Sequence, residues 1–459
     1  MKVCKYNFFV PHENRIICFN ALSGRVFSVN DKEYLSIQHS LETPNIKTDI
    51  RDFLYKAKFI IDDHFDETEY IILHNRIEIF DRNYHLIINP TLECNFNCWY
   101  CYEKTIKGSI SEETIQNIMK FITNRVEKRE ITGLKLNWFG GEPLLHYKRV
   151  IAPISLFAKK LMDENHLFFS NGITTNAYLI NDKMIDDFKL IDLNFFQITL
   201  DGGEESHNRT RNQRGRPSYK KIIDNIIKLC KSTDSIRIRL RINYTNEILQ
   251  QNFKEIFDNI PIEERKKITI DFQRVWQTAH EVSLLGINTN VISKVELARE
   301  MGFASGLDSK YTVGKFYQCY VDKYYHAHIN YDGKVYKCSA RNYSDKYICG
   351  ELLNTGEIQW RPGILERMYT KANFENTECL SCKLLPLCIG PCYQNYLDYK
   401  NKENPSICIH RHKEIDINTF IIEYYKNIKK KYATKMKENF VSTVALSPEP
   451  INKDTIDKQ

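Results

Sequence analysis

Three cysteines on one short stretch of the sequence carry the first chemical signal. Cys94, Cys98 and Cys101 are separated by three and two residues, a spacing that suits three irons of a cubane iron-sulfur cluster. Soft thiolates select iron-sulfur clusters or zinc, and a structural metal site normally closes with four protein ligands. Because no fourth cysteine lies nearby, the triplet predicts a metal site with one position open for a ligand, which we expect to be a cofactor.

A glycine-rich turn further along the chain adds a second signal. A strand-like run ends in Gly140-Gly141-Glu142-Pro143, and two glycines let a backbone approach a ligand closely. Together, the triplet and this turn resemble the radical S-adenosylmethionine (SAM) superfamily. Members of that superfamily bind SAM through the open iron of a [4Fe-4S] cluster and reduce it to a 5′-deoxyadenosyl radical. The alternative is a surface zinc loop with an unrelated Gly-Gly turn.

A second cysteine array in the last third of the sequence has too many thiols for one site. A hairpin turn at Tyr331-Asp332-Gly333 would fold the first two of them back toward each other. The order of the array resembles the SPASM domain, an extension of some radical SAM enzymes that carries two auxiliary [4Fe-4S] clusters. Its members are Cys319, Cys338, Cys379, Cys382, Cys388, Cys392 and Cys408.

The SPASM resemblance divides these thiols between two clusters, which makes three [4Fe-4S] clusters in all. It places Cys379, Cys382, Cys388 and Cys408 on one auxiliary cluster, and Cys319, Cys338 and Cys392 on the other. Cys349 could complete the second set, although free cysteines are often small buried hydrophobes, and we expect that role for it. A pair of zinc-ribbon knuckles is the alternative for the whole array.

The radical SAM resemblance also implies contacts with SAM. Tyr100 would lie beside the adenine, with its backbone mattering more than its ring. Gly141 and Glu142 would face the methionine amino group, unless Glu142 only caps the following helix. The full expected set is Tyr100, Gly140, Gly141, Glu142, Thr175, Thr199, Arg211 and Asn243.

Two members of that set rest on a pattern of sulfatase-maturating SPASM enzymes. In those enzymes a Ser-Leu-Asp-Gly run and an arginine twelve residues beyond its serine both contact SAM. Thr199 and Arg211 occupy these places here. A hydroxyl replaces a hydroxyl, and a guanidinium can grip the methionine carboxylate with two parallel hydrogen bonds.

A parallel sheet must position these residues. Between residues 86 and 310, strand-like and helix-like stretches alternate. Six such units fit the partial (β/α)6 barrel of the radical SAM family, whose cofactor and substrate lie at the carboxyl ends of the strands. The strand-like runs begin at Leu86, Leu134, His166, Phe195, Ile236 and Ile268, and two clear helices span Glu112–Lys128 and Ser218–Cys230.

The residues before the barrel need a fold of their own. Three strand-like runs are followed by helical patterns, for which Asp31, Thr48 and Asp66 are the expected caps. This order resembles the winged-helix module that recognises leader peptides, in which a sheet edge can take a peptide as an extra strand. A small packing domain that shields the barrel is the alternative.

The predicted fold class is therefore α/β with four segments. These are a leader-recognition-like α+β domain at 1–85, the radical SAM core at 86–310, a SPASM domain at 311–425, and a basic helix end with a disordered tail at 426–459.

Composition argues against several classes of protein. Ten of the 14 cysteines fall into the two arrays and no signal peptide precedes them, which argues against a disulfide-rich secreted chain. No apolar run approaches about 18 residues, so no membrane span is expected. A net charge of +7, from 65 basic and 58 acidic residues, gives no particular support to nucleic acid as a partner. We expect a cytoplasmic, oxygen-sensitive protein.

The predicted function is oxidative maturation of a ribosomally made precursor peptide, by a thioether or carbon-carbon cross-link, with ferredoxin or flavodoxin as electron donor. The alternative is an anaerobic sulfatase-maturating enzyme that forms formylglycine from cysteine or serine. Two features depart from that family. Ser339, not aspartate, follows Cys338 here, and about 85 residues precede the cluster loop. Asp201 or Asp271 could supply a base. An RNA-modifying enzyme and a non-catalytic metal scaffold are further classes, which the low charge and the intact SAM-site residues disfavour.

Overall fold

The fold was analysed in a computed structural model. The residues that it describes are 1–103, 106–275, 289–306, 311–317, 319–367, 374–403, 406–408 and 415–438. The expected disordered tail falls mostly on residues 439–459, which lie outside the described residues.

The amino-terminal unit is a small α+β arrangement. Strands β2, β3 and β4 form an antiparallel sheet, and β1 pairs with β5. The three expected strands are present as β2, β3 and β4 and are followed by three helices, whereas β1 and β5 were not expected. A leader-recognition role for the unit stays a prediction. Its elements are β1 Lys2–Val3, β2 Asn7–His12, β3 Arg15–Asn20, β4 Val26–Val29, α1 Asp31–Glu42, α2 Asp49–Lys56, β5 Ile60–Ile61 and α3 Glu67–Ile79.

Two of the three expected helix caps are confirmed. Thr48 caps α2 and Asp66 caps α3. The expected cap of α1 is wrong by one residue, because Asn30 keeps the extended backbone of a cap while Asp31 is already helical. The Asn30 side chain accepts from the Glu33 amide, and the Glu33 carboxylate accepts from the Asn30 amide, each at 2.9 Å.

A large parallel sheet forms the centre of the molecule. Seven strands follow one another in chain order, all parallel. The six expected strands are confirmed, and the short seventh strand was not expected. They are β6 Asn83–Ile88, β7 Gly133–Trp138, β8 Phe168–Thr175, β9 Leu193–Leu200, β10 Arg237–Tyr244, β11 Ile268–Arg274 and β12 Ala304–Gly306.

Helices connect these strands and cover one face of the sheet. Apolar residues of β6 to β11 and of these helices share one continuous core, because alternate strand residues point to the same face. The helices are α4 Glu112–Glu127, α5 Ala152–Glu164, α6 Asp182–Leu190, α7 Glu204–Thr210, α8 Tyr219–Ser232, α9 Asn246–Leu249, α10 Phe253–Asp258 and α11 Thr289–Glu300.

The cysteine-rich segment continues the same sheet. Strand β13 (His326–Ile329) pairs in parallel with β6, and β14 (Lys334–Tyr336), β15 (Gly350–Leu352) and β16 (Ile358–Trp360) follow as an antiparallel ribbon. The expected hairpin turn joins β13 to β14, with Gly333 at a φ of +80°. Four helices complete the described chain, namely α12 Thr377–Ser381, α13 Leu385–Cys388, α14 Tyr393–Lys400 and α15 Ile417–Glu438.

The amino-terminal unit packs against this cysteine-rich segment and α15. Phe19, Leu387 and Ile421 lie in one buried cluster. The Tyr424 hydroxyl donates to the Gly24 carbonyl at 3.2 Å, and the Phe19 and Tyr424 rings are 5.6 Å apart. The first and last parts of the described chain therefore share a core.

Across the described ranges, every helix is too short or too polar to traverse a lipid bilayer.

Candidate functional site

The cysteine triplet lies on the loop that follows β6. The Cys98 thiol is close enough to Cys94 and to Cys101 for its charge to raise the pKa of both. Burial is the largest cause of the raised pKa of all three thiols, which reaches about 12 for Cys94 and about 11 for Cys101. The thiols are therefore protonated in the apoprotein, and a soft metal would bind by displacing their protons.

This set of donors fits a cluster better than a single ion. In a four-iron cluster each thiolate binds a different iron, so the sulfurs need not converge on one point. Among the described residues, no group of three or more histidine, cysteine, aspartate or glutamate side chains has the arrangement of a single-ion site.

The Gly-Gly turn packs directly on the cluster loop. The Gly141 amide donates to the Thr91 carbonyl at 3.2 Å, and the Glu142 amide donates to the Glu93 carbonyl at 2.8 Å. A Cβ atom at Gly140 would lie 2.4 Å from the Thr91 oxygen, and one at Gly141 would lie 2.2 Å from the Glu93 oxygen. Contact with the protein's own loop thus requires both glycines, and the expected close approach of this turn to a ligand stays a prediction.

Glu142 is a fully buried anchor between two strand ends. Its carboxylate accepts hydrogen bonds from the Thr175 hydroxyl at 2.7 Å, the Asn176 amide at 2.8 Å and the Leu144 amide at 3.0 Å. Burial raises its pKa to about 7, against the opposing effect of these donors. Glu142 also caps the short helix Pro143–His146, so the capping role that we held as an alternative is present.

Tyr100 is the hub of the site through its ring, and its expected backbone contact with SAM stays a prediction. Its hydroxyl donates to Asp201, whose carboxylate oxygens lie at 2.8 and 2.7 Å. The same hydroxyl accepts from Arg211 Nη1 at 2.7 Å and from Asn243 Nδ2 at 3.0 Å. A hydroxyl has one proton and two acceptor sites, so this network uses its full capacity.

Arg211 joins the hub to the cysteine triplet. Its positive charge lowers the pKa of Cys94, Cys98 and Cys101, although burial outweighs that effect. Its Nε atom is buried and has no hydrogen-bond partner in the part of the chain that the structure describes. A buried unpaired guanidinium nitrogen beside three thiols is well placed to receive an anionic group of a ligand.

The remaining expected SAM contacts occupy different places. Thr175 donates to Glu142 and accepts from the Ala177 amide at 3.0 Å, so its hydroxyl is engaged within the protein. Thr199 is buried near the end of β9, opposite Arg241 on β10. From the sequence, Asp201 was expected only as a possible base, and the structure adds it to the site. Its position just beyond a parallel strand is the sequence feature that indicates a place in the site.

The auxiliary cysteines fall into two spatial groups. In the first, Cys392 donates to Cys319, which lowers the pKa of Cys319 and raises that of Cys392. The charge of Cys392 also raises the pKa of Cys338, for which burial is the larger cause. In the second group, the charges of Cys382 and Cys408 raise the pKa of Cys379, for which burial is again the larger cause.

Proximity to Tyr311 places Cys388, the remaining thiol, in the second group. Burial is the largest cause of the raised pKa of Tyr311, and the charges of Cys388, Cys408 and Cys382 raise it further. The grouping matches the expected division, and the role of these thiols as cluster ligands stays a prediction. Cys349 is buried beside Lys337, its thiol lies 3.5 Å from the Tyr347 carbonyl oxygen, and none of the groups that shift its pKa is a cysteine.

Comparison with known proteins matches the central part of the chain to a protein family. The sequence model of the family described as the Radical SAM superfamily matches residues 88–258. These residues form a radical SAM domain. The matched region contains the cysteine triplet, the Gly-Gly turn and every member of the Tyr100 network. A domain that matches this family model implies a SAM cofactor and a [4Fe-4S] cluster.

Two relatives extend the comparison. The radical SAM cyclopropyl synthase TigE of Paramaledivibacter caminithermalis is 22% identical over 445 residues, which cover 84% of this chain and 88% of that protein. An uncharacterized protein of Methanocaldococcus jannaschii is 30% identical over 140 residues, 29% of this chain and 44% of that protein. The chain therefore spans less than half of the length of this second relative.

A solved structure shares the fold. The protein anSMEcpe with bound AdoMet has a TM-score of 0.53 and 16% identity, and the match covers 78% of this chain and 98% of that one. The same protein, solved with AdoMet and the Cp18Cys peptide, has a TM-score of 0.50. At this level of identity the likeness shows the fold of the radical SAM domain and its surroundings alone.

Proposed function

We propose that this protein is a radical SAM enzyme that oxidatively modifies a side chain of a ribosomally made precursor peptide, by a thioether or carbon-carbon cross-link. One observation carries the proposal. Arg211 is half-buried and lies within electrostatic reach of all three triplet thiols, and its buried Nε has no hydrogen-bond partner among the described residues.

The chain's own residues have separate tasks in this proposal. Cys94, Cys98 and Cys101 would hold a four-iron cluster by three thiolates, and Arg211 would receive the carboxylate of SAM. When bound, the clusters and SAM would supply a 5′-deoxyadenosyl radical that abstracts a hydrogen from the substrate, and would accept the second electron of the oxidation. Tyr100 and Asp201 hold the guanidinium in place, and the buried network keeps water away from it.

The two groups of auxiliary thiols would hold two further clusters, with a ferredoxin or flavodoxin as the source of electrons. All 14 cysteines are free thiols, which is the state that a reducing compartment maintains. We therefore also propose a cytoplasmic location.

Two observations support a peptide as the substrate. The protein anSMEcpe, which shares the fold, has been solved with a bound peptide. In this chain, the antiparallel sheet of the amino-terminal unit ends at β2 on one side and β4 on the other. A strand edge of this kind can bind a leader peptide as an additional strand.

The surroundings of Ser339 disfavour formylglycine formation by the route of the sulfatase-maturating enzymes. Ser339 follows Cys338 where those enzymes have an aspartate. Its hydroxyl pairs with the Tyr320 hydroxyl at 2.5 Å, and its carbonyl accepts from Tyr102 at 3.0 Å and from Tyr343 at 3.1 Å. A neutral side chain in this place cannot serve as the proton-accepting carboxylate.

The decisive experiment is anaerobic reconstitution with iron and sulfide. We expect about twelve irons per chain, four for each of three clusters, and formation of 5′-deoxyadenosine from SAM and a reductant. Cys98→Ala should retain about eight irons and lose SAM cleavage. Cys230→Ala is the matched control, since Cys230 is a buried thiol on α8 outside both arrays, and it should keep both properties. Bound zinc without SAM cleavage in the wild type would contradict the proposal.

A further inference from the structure

The face of β6 to β11 that is not packed by helices is polar, and we refer to it as the inner face. Leu134 and Leu136 of β7 lie in the core, so Lys135 between them projects to the inner face. On β10, Ile238 and Leu240 lie in the core, and Arg239 projects to the inner face in the same way. Both Lys135 and Arg239 remain exposed to solvent.

The charge on these strands is strongly unbalanced. Among their residues, Asp271 is the single carboxylate, and its side chain accepts from Gln273 at 2.9 Å. The cations of the inner face on the same six strands are Lys135, Arg237, Arg239 and Arg241. Arg274 lies on the helix-packed face, where it donates to Asn246 of α9 and lies over the Tyr244 ring. Strands of a buried parallel sheet are usually rich in apolar residues, so four cations against one carboxylate indicate a role for positive charge.

Within the described residues, the central cations of the inner face form no ion pair with a carboxylate. Arg241 donates to the Asn243 side chain at 2.9 Å and lies opposite Asp271 on β11. The Arg239 guanidinium lies 5.7 Å from the centre of the Phe195 ring. Several cations grouped on one face of a sheet repel one another, which is costly.

Lys135 shows this cost directly. Burial lowers its pKa, and the nearby charges of Lys323, Arg239 and Lys315 lower it further. Lys135 is nonetheless exposed to solvent. A side chain that is both surrounded by protein and accessible to water lies in a concave space, and repulsion among cations in such a space would be relieved by an anionic ligand.

The inner face leads to the candidate site. Arg241 lies two residues beyond Arg239 on β10. Burial raises the pKa of Asp201 and of Tyr102, and the charge of Arg241 opposes that rise. Phe195 on β9 is 36% exposed beside Arg239 and offers an apolar contact next to the positive charge. A ligand on Lys135 and Arg239 would therefore extend toward the Tyr100 network.

We propose that the inner face binds carboxylate side chains of the peptide substrate, so that the segment next to the modified residue is acidic. This inference rests on the proposed function and names its substrate class. The cations Lys135, Arg239 and Arg241 would pair with aspartate or glutamate side chains, and Phe195 would contact the aliphatic part of the same segment.

The test measures binding to the full-length, reconstituted protein by fluorescence anisotropy. The probe is a fluorescein-labelled peptide of alternating glutamate and glycine, and its partner probe replaces each glutamate with glutamine. We expect the acidic peptide to bind about ten-fold more tightly or better, with an affinity that falls as salt is added. Lys135→Gln and Arg239→Gln should each weaken binding by about three- to ten-fold.

Control variants make the outcome specific. Lys160→Gln removes a positive charge from the exposed surface of α5, where Lys160 pairs with Glu164 at 3.7 Å, and should leave binding unchanged. Lys135→Glu should lose the acidic peptide and gain affinity for a peptide of alternating lysine and glycine. That gain cannot result from misfolding.

Three results would overturn the inference: equal binding of the glutamate and glutamine peptides, unchanged binding in both glutamine variants, or tighter binding of an oligouridine of equal charge. Binding is measured without SAM or reductant. Failure of the wild type to cleave SAM would therefore contradict the proposed function, whereas loss of selective peptide binding would contradict this inference alone.

Discussion

The phenol hydroxyl of Tyr100 lies 2.8 and 2.7 Å from the two carboxylate oxygens of Asp201. Tyr100 directly precedes Cys101 on the loop after β6, whereas Asp201 follows β9, so this hydrogen bond fixes the cluster loop to a distant strand end. Burial raises the pKa of Asp201 to about 6, while Arg211 and Tyr100 oppose that rise. The contact therefore determines both the position of the loop and the charge beside it.

Tyr100→Phe should destabilise the protein by about 1–3 kcal/mol, because it leaves a buried carboxylate and two buried donors without their shared partner. Urea unfolding of the apoprotein measures this. Tyr147→Phe is the matched control, since the Tyr147 hydroxyl is buried and finds no hydrogen-bond partner among the residues that the structure describes. Its removal should be neutral or slightly stabilising. Equal losses in the two variants would show that the Tyr100 network adds no stability.

Arg211→Lys should weaken SAM binding by about ten-fold, equivalent to about 1.4 kcal/mol, because lysine keeps the charge but lacks the planar fork. Titration calorimetry with the reconstituted protein measures the affinity, and iron content should not change. Arg209→Lys serves as the control, since Arg209 is exposed on α7 and pairs with Glu247 at 2.6 Å. Unaltered SAM affinity in Arg211→Lys would remove Arg211 from the SAM site.

Gly141→Ala should separate the Gly-Gly turn from the cluster loop. Its Cβ atom would lie 2.2 Å from the Glu93 carbonyl oxygen, and backbone must move to relieve that contact. We expect a loss of at least about 2 kcal/mol and reduced iron binding on reconstitution. At Gly203 a Cβ atom would meet its nearest neighbours at 3.6 Å, so Gly203→Ala should be tolerated. Normal iron content in Gly141→Ala would contradict this account of the turn.

Acid should destabilise the protein through His85, which is half-buried, and His328, which is buried. Burial lowers the pKa of His85 and of His328 to about 3. Because the unfolded chain binds these protons near pH 6.5, stability is present above about pH 6.5 and is lost as the pH falls toward 3. Each histidine should cost about 1.4 kcal/mol between about pH 7.5 and pH 5.5.

Urea unfolding at these two pH values measures the histidine effect. His85→Gln should reduce the change in unfolding free energy between these two pH values by the contribution of one histidine. This holds whatever the substitution does to stability at neutral pH. His39→Gln is the control, because His39 is exposed on α1. The same pH dependence in His85→Gln and the wild type would contradict the assignment.

Several site residues could be named from sequence because their chemistry depends on local spacing. The triplet, the Gly-Gly turn and the Thr199 to Arg211 interval each fall on one strand end or loop, so the chain order alone predicts their neighbourhood. The strands themselves were predictable from apolar runs separated by helical patterns. The cap of α1 was missed by one residue because Asn30 and Asp31 are both good caps and local backbone geometry selects between them.

Other features depend on contacts between residues far apart in the chain. The ring of Tyr100 acquires its role only when Asp201, Arg211 and Asn243 meet it in the fold. Likewise, Gly140 and Gly141 are needed because the loop carrying Cys94 packs against them, which no local pattern reveals.

The sequence by itself determined the chemistry available to this protein, since thiolate spacing, turn glycines and strand periodicity are properties of neighbouring residues. The tertiary structure alone decided which groups share a low-dielectric space. It brought Arg211 beside the three thiols and left Lys135 and Arg239 on an open face, where neither forms an ion pair with another described residue. The physical reason is that burial and electrostatic interaction depend on distance in space, and the order of residues along the chain does not specify that distance.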